Sequence, residues 1–243
     1  MKGYFEKEVM VLPSMCDAEG KLSVPGAFAL FMDIATEHAE LLGVGMNGIM
    51  RQGLFWLIAR TRIRFHRRPG LAESITVRTW PETPERSRCN RDYLIAQGGD
   101  VLVEGKTEWM VLNTKTNRLW PADGVFPADL EVEAARVLPG PFTRIADDFD
   151  GSDSLGSYTV RATDIDLGGH MNNAIYPRVI AGAFSAAAWR EMDIAEMEIA
   201  FRAPCYEGDV LDLQKKATPE GIALRLSCDN RTIALARIAK GPA

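Results

Sequence analysis

Residues 164–173 read Asp164-Ile165-Asp166-Leu167-Gly168-Gly169-His170-Met171-Asn172-Asn173 and separate a strand-like run at 158–161 from a helical pattern at 173–191. The stretch combines two carboxylates, a glycine pair, one of three histidines and two asparagines. Because a helix N-terminus offers free backbone N–H groups, polar side chains at such a junction predict a functional site. The alternative is a glycine turn followed by an asparagine-capped helix.

The second half of the chain shows a definite order of predicted elements around this junction. A strand at 155–161 precedes the helix at 173–191, and strands follow at 194–202, 209–216, 221–228 and 232–239. The first half has the same order, with a weak strand at 4–12, a helix that begins near Ser23, and strands at 54–66, 73–80, 89–97 and 101–112. Residues 63–75 also resemble residues 199–211 at a constant offset. The sequence therefore predicts an α+β protein with two copies of a domain in which an antiparallel sheet wraps around one helix.

The first helix has clear start and end signals and one apolar face. Ser23 is predicted to cap it, Pro25 lies in its first turn, and Gly43 and Gly45 end it. Its apolar residues recur at spacings of three and four: Phe28, Phe31, Ala35, His38 and Leu42. On this stripe, His38 is predicted to be a packed or hydrogen-bonded core histidine. The alternative for His38 is a role in lining a ligand channel.

Turn and connector signals divide the chain. Gly98-Gly99-Asp100 in the first half and Asp229-Asn230 in the second are typical of hairpin turns. A proline-rich segment that ends in a run of aspartates reads as a connector, first packed and then exposed. We therefore expect an N-terminal repeat at 1–135, a connector at 136–153 and a C-terminal repeat at 154–243.

Composition is that of an ordinary globular protein and argues against several functions. Of the 243 residues, 47% are hydrophobic and 25% are charged, and the net charge of −5 argues against nucleic acid as the main partner. No stretch is long and apolar enough for a membrane span, and the first residues hold no signal core. The cysteines lack C-x-x-C spacing and the histidines lack metal-ligand spacing. These features predict a cytoplasmic protein with reduced thiols and no bound metal.

Several short motifs, in this order and on this repeated plan, resemble the acyl-acyl-carrier-protein (acyl-ACP) thioesterases of bacteria and plant plastids. The similarity covers about residues 4–240. The pieces that carry it are Asp33-Ile-Ala-Thr-Glu-His38, Leu54-Phe-Trp-Leu-Ile-Ala-Arg60, Glu108-Trp-Met-Val-Leu-Asn113 with Thr116-Asn-Arg118, and Asp164-x-Asp166-x-x-x-His170-x-Asn172-Asn173 followed by Tyr176.

The resemblance implies a tandem, or double, hot-dog fold, with a long helix wrapped by an antiparallel sheet in each repeat. It also implies hydrolysis of the thioester between a fatty acyl chain and the phosphopantetheine arm of ACP, as a step of fatty acid biosynthesis. The N-terminal repeat would shape the acyl tunnel, and the C-terminal repeat would hold the chemistry. The partner would be ACP, no cofactor would be needed, and a homodimer would be compatible with the fold.

Asp166 and His170 are the expected catalytic residues. The family's usual cluster is Asp-x-Asn-x-His, and these two residues match its first and last positions. Hydrolysis needs an activated water or a nucleophile, and a carboxylate can serve as general base or as direct nucleophile. His170 would hydrogen-bond the carboxylate or the water. Asp164 is expected to be structural.

Four neighbouring residues are expected to bind substrate: Gly168, Gly169, Asn172 and Asn173. Backbone N–H groups near Gly169 and His170, at the start of the helix, would polarise the thioester carbonyl, and the glycines would allow close approach. Asn172 and Asn173 would cap the helix. Gly168 departs from the family pattern, because it stands where the asparagine is expected.

Cys205 falls on the family's cysteine position, once regarded as the nucleophile, whereas Pro204 replaces the adjacent acidic residue. Cys205 is therefore a second candidate for the nucleophile. However, no cationic neighbour in sequence would lower its pKa. The alternative is a small buried hydrophobic side chain.

Arg60, Arg62 and Arg64 alternate along one predicted strand and would project to the same face. An acidic carrier protein requires a positive patch of this kind, so these arginines are candidates for ACP docking. The alternative is a solvated, charged strand face.

Two other functions are compatible with the sequence, and a third lacks support. An acyl-CoA thioesterase on the same fold would use the same cluster on a different carrier. A non-catalytic acyl-thioester-binding module would explain the missing asparagine and acidic helper. A hot-dog dehydratase would need a second histidine-centred cluster, which the sequence does not supply.

Overall fold

The computed structural model describes residues 1–241 and divides the chain into two compact units, Met1–Pro141 and a second unit that begins at Phe142. This division falls inside the predicted connector 136–153. The predicted C-terminal repeat 154–243 ends at residues 242 and 243, which lie outside the described residues. Among residues 1–241, none of the helices combines the length and the apolar character needed to cross a membrane.

The N-terminal unit is an antiparallel sheet with one long helix. Its strands lie in the order β1-β3-β4-β5-β2, and a short strand, β6, pairs with β5. The strands are β1 (Phe5–Met10), β2 (Leu54–Phe65), β3 (Ser74–Pro81), β4 (Arg88–Gln97), β5 (Asp100–Asn113) and β6 (Arg118–Trp120), and the helices are α1 (Val24–Leu41) and α2 (Met46–Met50). All predicted strands of this half are confirmed; α2 and β6 were not predicted.

The helix α1 packs its predicted apolar stripe into the core of the N-terminal unit. The Oγ of Ser23 accepts the N–H of Gly26 at 3.0 Å, which satisfies one of the free donors at the helix start. Phe28, Phe31, Ala35, His38 and Leu42 are all buried. Phe31 stacks on Tyr93 of β4 and lies directly over Gly105 of β5, where a Cβ would come within 2.2 Å of the ring. The glycine therefore allows the helix to approach the sheet.

The C-terminal unit repeats this order of elements. Its strands lie in the order β8-β11-β10-β9-β7, and all neighbours are antiparallel. They are β7 (Asp153–Thr159), β8 (Ile194–Phe201), β9 (Val210–Thr218), β10 (Gly221–Cys228) and β11 (Arg231–Lys240). Both predicted hairpin turns are confirmed: Gly98 and Gly99 have φ values of 59° and 95°, and Asp229 and Asn230 have values of 49° and 63°.

The helix predicted at 173–191 is wrong in its start and in its continuity. The structure has two short helices, α3 (Tyr176–Gly182) and α4 (Ala186–Glu191). Pro177 lacks an N–H and cannot bond to the carbonyl of residue 173, so regular helical bonding begins later than the pattern suggests. Ser185 has an extended backbone, and its Oγ caps α4 through the N–H of Ala188, so the helix is interrupted there.

The connector is not simply exposed along its acidic end. Ile145 and Phe149 are buried against Ala200 and Leu235 within the C-terminal unit. Phe149 lies within the aspartate-rich run that was expected to be solvated, and it anchors that run to the sheet. Burial of an aromatic ring outweighs the polarity of its neighbours, whose side chains can still reach solvent.

Candidate active site

The loop 161–173 is a compact structure held by its own hydrogen bonds. A 3₁₀ turn (Ala162–Asp164) opens it, and Ile165 forms an isolated β-bridge with Met171. Asp164 is 7% exposed, and its Oδ2 accepts the Tyr158 hydroxyl at 2.7 Å and the Arg161 N–H at 2.8 Å. These contacts confirm the structural role expected for Asp164, which fixes the base of the loop.

Asp166 lies at the start of a tight turn that ends at His170. Its Oδ1 accepts the N–H of Gly168 at 2.7 Å, and its carbonyl accepts the N–H of Gly169 at 3.0 Å. Its own N–H donates to the carbonyl of His170 at 3.0 Å. Gly169 has φ of +77°, a conformation that glycine adopts without strain. The turn thus brings the two predicted catalytic residues to the same side of the loop.

The carboxylate and the imidazole face each other across Gly168. His170 Nδ1 lies 3.7 Å from Asp166 Oδ1, and each side chain is about one-third exposed. A Cβ on Gly168 would lie 2.6 Å from His170 Cε1 and 3.0 Å from Asp166 Oδ1. The absence of a side chain at residue 168 therefore makes room for the imidazole. A carboxylate and an imidazole that both reach solvent can accept, hold and return a proton.

The predicted position of the backbone donors is wrong. The N–H groups of Gly168 and Gly169 both donate to Asp166, and helix α3 begins only at Tyr176. Asn172 does not cap that helix: its Oδ1 accepts the N–H of Ala174, and a turn over 173–175 separates it from α3. Asn173 lies in the same turn. The physical reason is again Pro177, which delays the helix.

Cys205 is brought next to the loop but is fully buried. Its carbonyl accepts the N–H of Met171 at 2.9 Å, and its Sγ lies 3.3 Å from the Tyr176 hydroxyl. Burial raises the pKa of the Cys205 thiol, although the hydrogen bond to Tyr176 works in the opposite direction. A thiol that stays protonated is a poor nucleophile, so the structure favours the alternative of a packed hydrophobic side chain.

Sequence reasoning missed Tyr206, whose ring is tilted against His170 with centroids 6.4 Å apart. Tyr206 is 49% exposed, and its N–H donates to Asp209 Oδ2 at 2.8 Å. Leu167, between Asp166 and Gly168, is 88% exposed. Apolar groups of this kind at the rim of a polar pair can contact an uncharged part of a ligand. Their separation in sequence gave no signal that Tyr206 and His170 are neighbours.

The same loop geometry recurs in the N-terminal unit. Asp17 Oδ1 accepts the N–H of Glu19, its carbonyl accepts the N–H of Gly20, and its N–H donates to the carbonyl of Lys21. Gly20 has φ of +69°, and an isolated bridge joins Cys16 to Leu22. Asp17 thus corresponds to Asp166 in backbone geometry. The second unit differs in having Gly168 and His170 where the first has Glu19 and Lys21.

The recurrence bears on the role of Asp166 in the fold. An aspartate at this position holds the turn in both units, so Asp166 has a structural role besides any catalytic one. Asp17 forms an ion pair with Arg68, whereas Asp166 faces His170. The feature specific to the second unit is therefore the imidazole and the space that Gly168 leaves for it.

The predicted docking arginines lie on one face of β2. In the register with β5, Arg60, Arg62 and Arg64 stand opposite Glu108, Lys106 and Glu104. Arg64 Nη1 lies 3.8 Å from Glu104 Oε2. The three side chains are partly buried, and the carboxylates beside them reduce the positive potential of this face.

Among residues 1–241, no group of three or more histidine, cysteine, aspartate or glutamate side chains is arranged to hold a metal ion.

Family models for the two domains of the acyl-ACP thioesterases match the chain. The N-terminal domain model covers residues 2–123 and the C-terminal domain model covers residues 150–238. A chloroplastic acyl-[acyl-carrier-protein] hydrolase of Cuphea viscosissima is 23% identical in an alignment 217 residues long, which covers 84% of this chain and 53% of that protein. Oleoyl-acyl carrier protein thioesterase 1 of Arabidopsis thaliana is 23% identical over 90% of this chain and 65% of its own length. The chain spans about half the length of the first curated relatives it matches.

Two solved structures share the fold over the whole chain. An acyl-ACP thioesterase from Bacteroides thetaiotaomicron superposes with a TM-score of 0.88 at 19% identity and covers 98% of this chain and 97% of its own. The 12:0-ACP thioesterase from Umbellularia californica superposes with a TM-score of 0.80 at 17% identity, and the match covers 99% of this chain and 98% of that one. The predicted α+β double hot-dog fold is thus confirmed, with a shorter and interrupted helix in the second repeat. The chain belongs to the acyl-ACP thioesterase family.

Proposed function

We propose that this protein hydrolyses the thioester of an acyl-ACP and releases a free fatty acid for lipid biosynthesis. The observation that carries this proposal is the solvent-reaching Asp166–His170 pair in a family whose named relatives are acyl-ACP hydrolases and thioesterases. The N-terminal repeat would hold the acyl chain. Support for this comes from an apolar cavity within that unit, lined by α1 and by residues of β2, β4 and β5.

In the proposed reaction, water adds to the thioester carbonyl carbon and the C–S bond breaks. Asp166 acts as general base toward the water. Alternatively, its carboxylate attacks the carbonyl carbon, the C–S bond breaks to leave an acyl–Asp166 anhydride, and water then hydrolyses this anhydride to the fatty acid. Oδ1 is held by the N–H of Gly168, which fixes the carboxylate in the turn. His170 orients the water or stabilises the negative charge that develops on the carbonyl oxygen. The leaving thiolate takes up the proton that the attacking water has lost. Gly168, Gly169, Asn172 and Asn173 stay predictions as substrate-binding residues.

The two units offer a matched pair of variants to test this assignment. Asp166→Asn keeps an oxygen that can accept the Gly168 N–H but removes the carboxylate, so fatty acid release from acyl-ACP should fall by about 100-fold or more. Asp17→Asn makes the same change in the equivalent turn of the first unit and should leave the rate within about two-fold of the parent. Equal rates for Asp166→Asn and the parent would exclude Asp166 as base or nucleophile.

The carrier is tested with matched acyl chains on ACP and on coenzyme A. Under the proposal, kcat/KM on acyl-ACP exceeds that on acyl-CoA; equal or faster turnover of acyl-CoA would favour the acyl-CoA thioesterase instead. Binding of acyl-ACP without release of fatty acid would favour the non-catalytic module. ACP docking at Arg60, Arg62 and Arg64 stays a prediction, because Glu104 and Glu108 share their face. The cytoplasmic location and the homodimer also stay predictions.

A further inference from the structure

The cavity of the N-terminal unit has an apolar wall and one buried cation. Its volume is about 100 Å³, and its lining includes Ala39, Val44, Trp56, Trp109 and Phe126. Trp56 is held in place by a hydrogen bond from its Nε1 to the Val44 carbonyl, by an edge contact with Trp109 and by a tilted ring contact with Phe126. The charged residue in the wall is Arg91 of β4, which is 5% exposed.

The contacts of Arg91 are with neutral groups. Its Nη1 donates to His38 Nδ1 at 3.0 Å and to Thr79 Oγ1 at 3.3 Å. His38 must offer a lone pair to this donor, so it is the neutral imidazole, in agreement with a pKa lowered to about 4 by burial and by the charge of Arg91. Cys89 and Tyr93, two positions before and after Arg91 on the same face of β4, have pKa values raised to about 12 by burial and are neutral near pH 7.

A buried guanidinium without a carboxylate among these contacts is an unusual feature in a protein core. Removing a cation from water is costly unless an anion compensates it. Arginine binds a carboxylate through two parallel hydrogen bonds, which is the strongest arrangement available to it. The cavity around Arg91 is apolar and suits a hydrocarbon chain. Its chemistry is therefore complementary to a molecule with a carboxylate at one end and an alkyl chain behind it.

We propose that this cavity binds a free fatty acid with its carboxylate on Arg91 and its alkyl chain against Trp56, Trp109 and Phe126. The binding step depends only on the cavity. The consequence of this binding for turnover rests on the proposed function, because the ligand belongs to the class of the reaction product and would occupy the space expected for the acyl chain. Fatty acid bound in this orientation competes with the acyl substrate and slows the enzyme as product accumulates.

The test uses decanoate and methyl decanoate as calorimetric probes of the full chain near pH 7. The two differ in charge and share the alkyl chain, so decanoate should bind at least about tenfold more tightly. Arg91→Met should remove this difference. Ala39→Leu, which fills part of the cavity and leaves Arg91 in place, should weaken decanoate binding. If the alkyl chain entered with its methyl end inward, the cavity would bind decanoate and methyl decanoate with the same affinity.

Equal binding of the two probes would overturn the proposal, as would unchanged decanoate binding in Ala39→Leu. If Arg91→Met does not fold, the comparison of probes on the parent chain and on Ala39→Leu still decides. Calorimetry needs no turnover, so failure of acyl-ACP hydrolysis and failure of this site are separate results. In a hydrolysis assay, decanoate should raise the KM for acyl-ACP and leave kcat unchanged, and methyl decanoate at the same concentration should raise KM less.

Discussion

At the scale of single residues, the site depends on what the aspartate and the glycine of one turn each contribute. Asp166 holds the turn through its Oδ1, in the same way as Asp17 in the first unit. A fold that needs an aspartate at this position supplies a fixed carboxylate, and the second unit adds His170 beside it. Gly168 then matters because its missing side chain leaves the imidazole its place.

Gly168→Ala should reduce hydrolysis by roughly tenfold or more without unfolding the protein. Gly168 does not have a positive φ, so the backbone tolerates alanine, but the new Cβ would displace the His170 ring from Asp166. Gly182→Ala in α3 is the control, since a Cβ there meets nothing within 4 Å. Steady-state kinetics on acyl-ACP and thermal melts check both variants. Full activity of Gly168→Ala would show that the position of His170 is unimportant.

Cys205→Ala should keep at least about half of the parent activity. The thiol is fully buried and its pKa is raised, so it does not supply a thiolate for attack. Some loss of stability, about 1 kcal/mol, is expected because the sulfur packs against Met171 and Tyr176. Fatty acid release and urea unfolding separate the two effects. A loss of activity as large as that of Asp166→Asn would restore Cys205 as the nucleophile.

At the scale of secondary-structure elements, the two repeats differ most in their helices. The helix α1 runs without interruption from Val24 to Leu41, whereas the corresponding segment of the second unit is divided into α3 and α4. Ser23 begins the long helix directly after its turn, and Asn172 occupies the corresponding place without capping a helix. The difference arises from Pro177, which lacks an N–H, and from Ser185, whose extended backbone and capping Oγ start a new helix.

Ser23→Ala should destabilise the N-terminal unit by about 1–2 kcal/mol. The Ser23 hydroxyl accepts the Gly26 N–H and also donates to the Met15 carbonyl, so the substitution removes two hydrogen bonds. Thr36→Ala, in the middle of the same helix, is the control and should be neutral or slightly stabilising because alanine has the higher helix propensity. Urea unfolding followed by circular dichroism measures both changes. Equal stability of the two variants would show that the cap contributes nothing.

At the scale of the whole molecule, stability depends on buried charge as well as on apolar packing. Asp92 of β4 is fully buried and lies opposite Lys106 of β5 in the sheet register. Lys106 and Arg136 both form ion pairs with Glu82, which is also buried. Burial, followed by the charge of Glu82, raises the pKa of Asp92 to about 7. The core of the N-terminal unit therefore contains a carboxyl group that holds its proton near neutral pH.

Asp92→Asn should gain stability relative to the parent as the pH rises from about 5 to 8. Folded Asp92 keeps its proton up to about pH 7, whereas the unfolded chain loses it near pH 4, so the stability contributed by the protonated carboxyl is lost as pH rises through the folded pKa. Asparagine has no proton to lose. His38, with a pKa lowered to about 4, acts in the opposite direction and is the same in both proteins.

Thermal melts of the parent and of Asp92→Asn across this pH range measure the difference. Asp100→Asn, which removes an exposed carboxylate from the Gly98–Gly99 hairpin, is the control. Its melting temperature should differ from that of the parent by the same amount at every pH. A constant offset for Asp92→Asn as well would contradict the raised pKa of Asp92.

The sequence by itself determined the strands, the hairpins, the long first helix, the two-repeat order and the position of the Asp166–His170 loop. These features depend on short-range patterns: alternation for strands, a three-to-four spacing for the helix, and glycine or asparagine at turns with positive φ. The resemblance of the motifs to acyl-ACP thioesterases determined the family. The recurrence of the loop was also present in the sequence, with Asp17, Gly20 and Ser23 spaced like Asp166, Gly169 and Asn172.

Only the tertiary structure decided where helix α3 begins and which backbone N–H groups donate to Asp166. It also decided that Cys205 is buried and that Arg91 contacts neutral partners in an apolar cavity. The burial of Cys205 and the surroundings of Arg91 depend on residues far apart in the chain, such as Met171 with Cys205 and His38 with Arg91. A local pattern shows which face of an element is apolar, but it does not show which side chain from another element will lie against that face. Burial and electrostatic environment, which set the chemistry of these groups, exist only once the chain has folded.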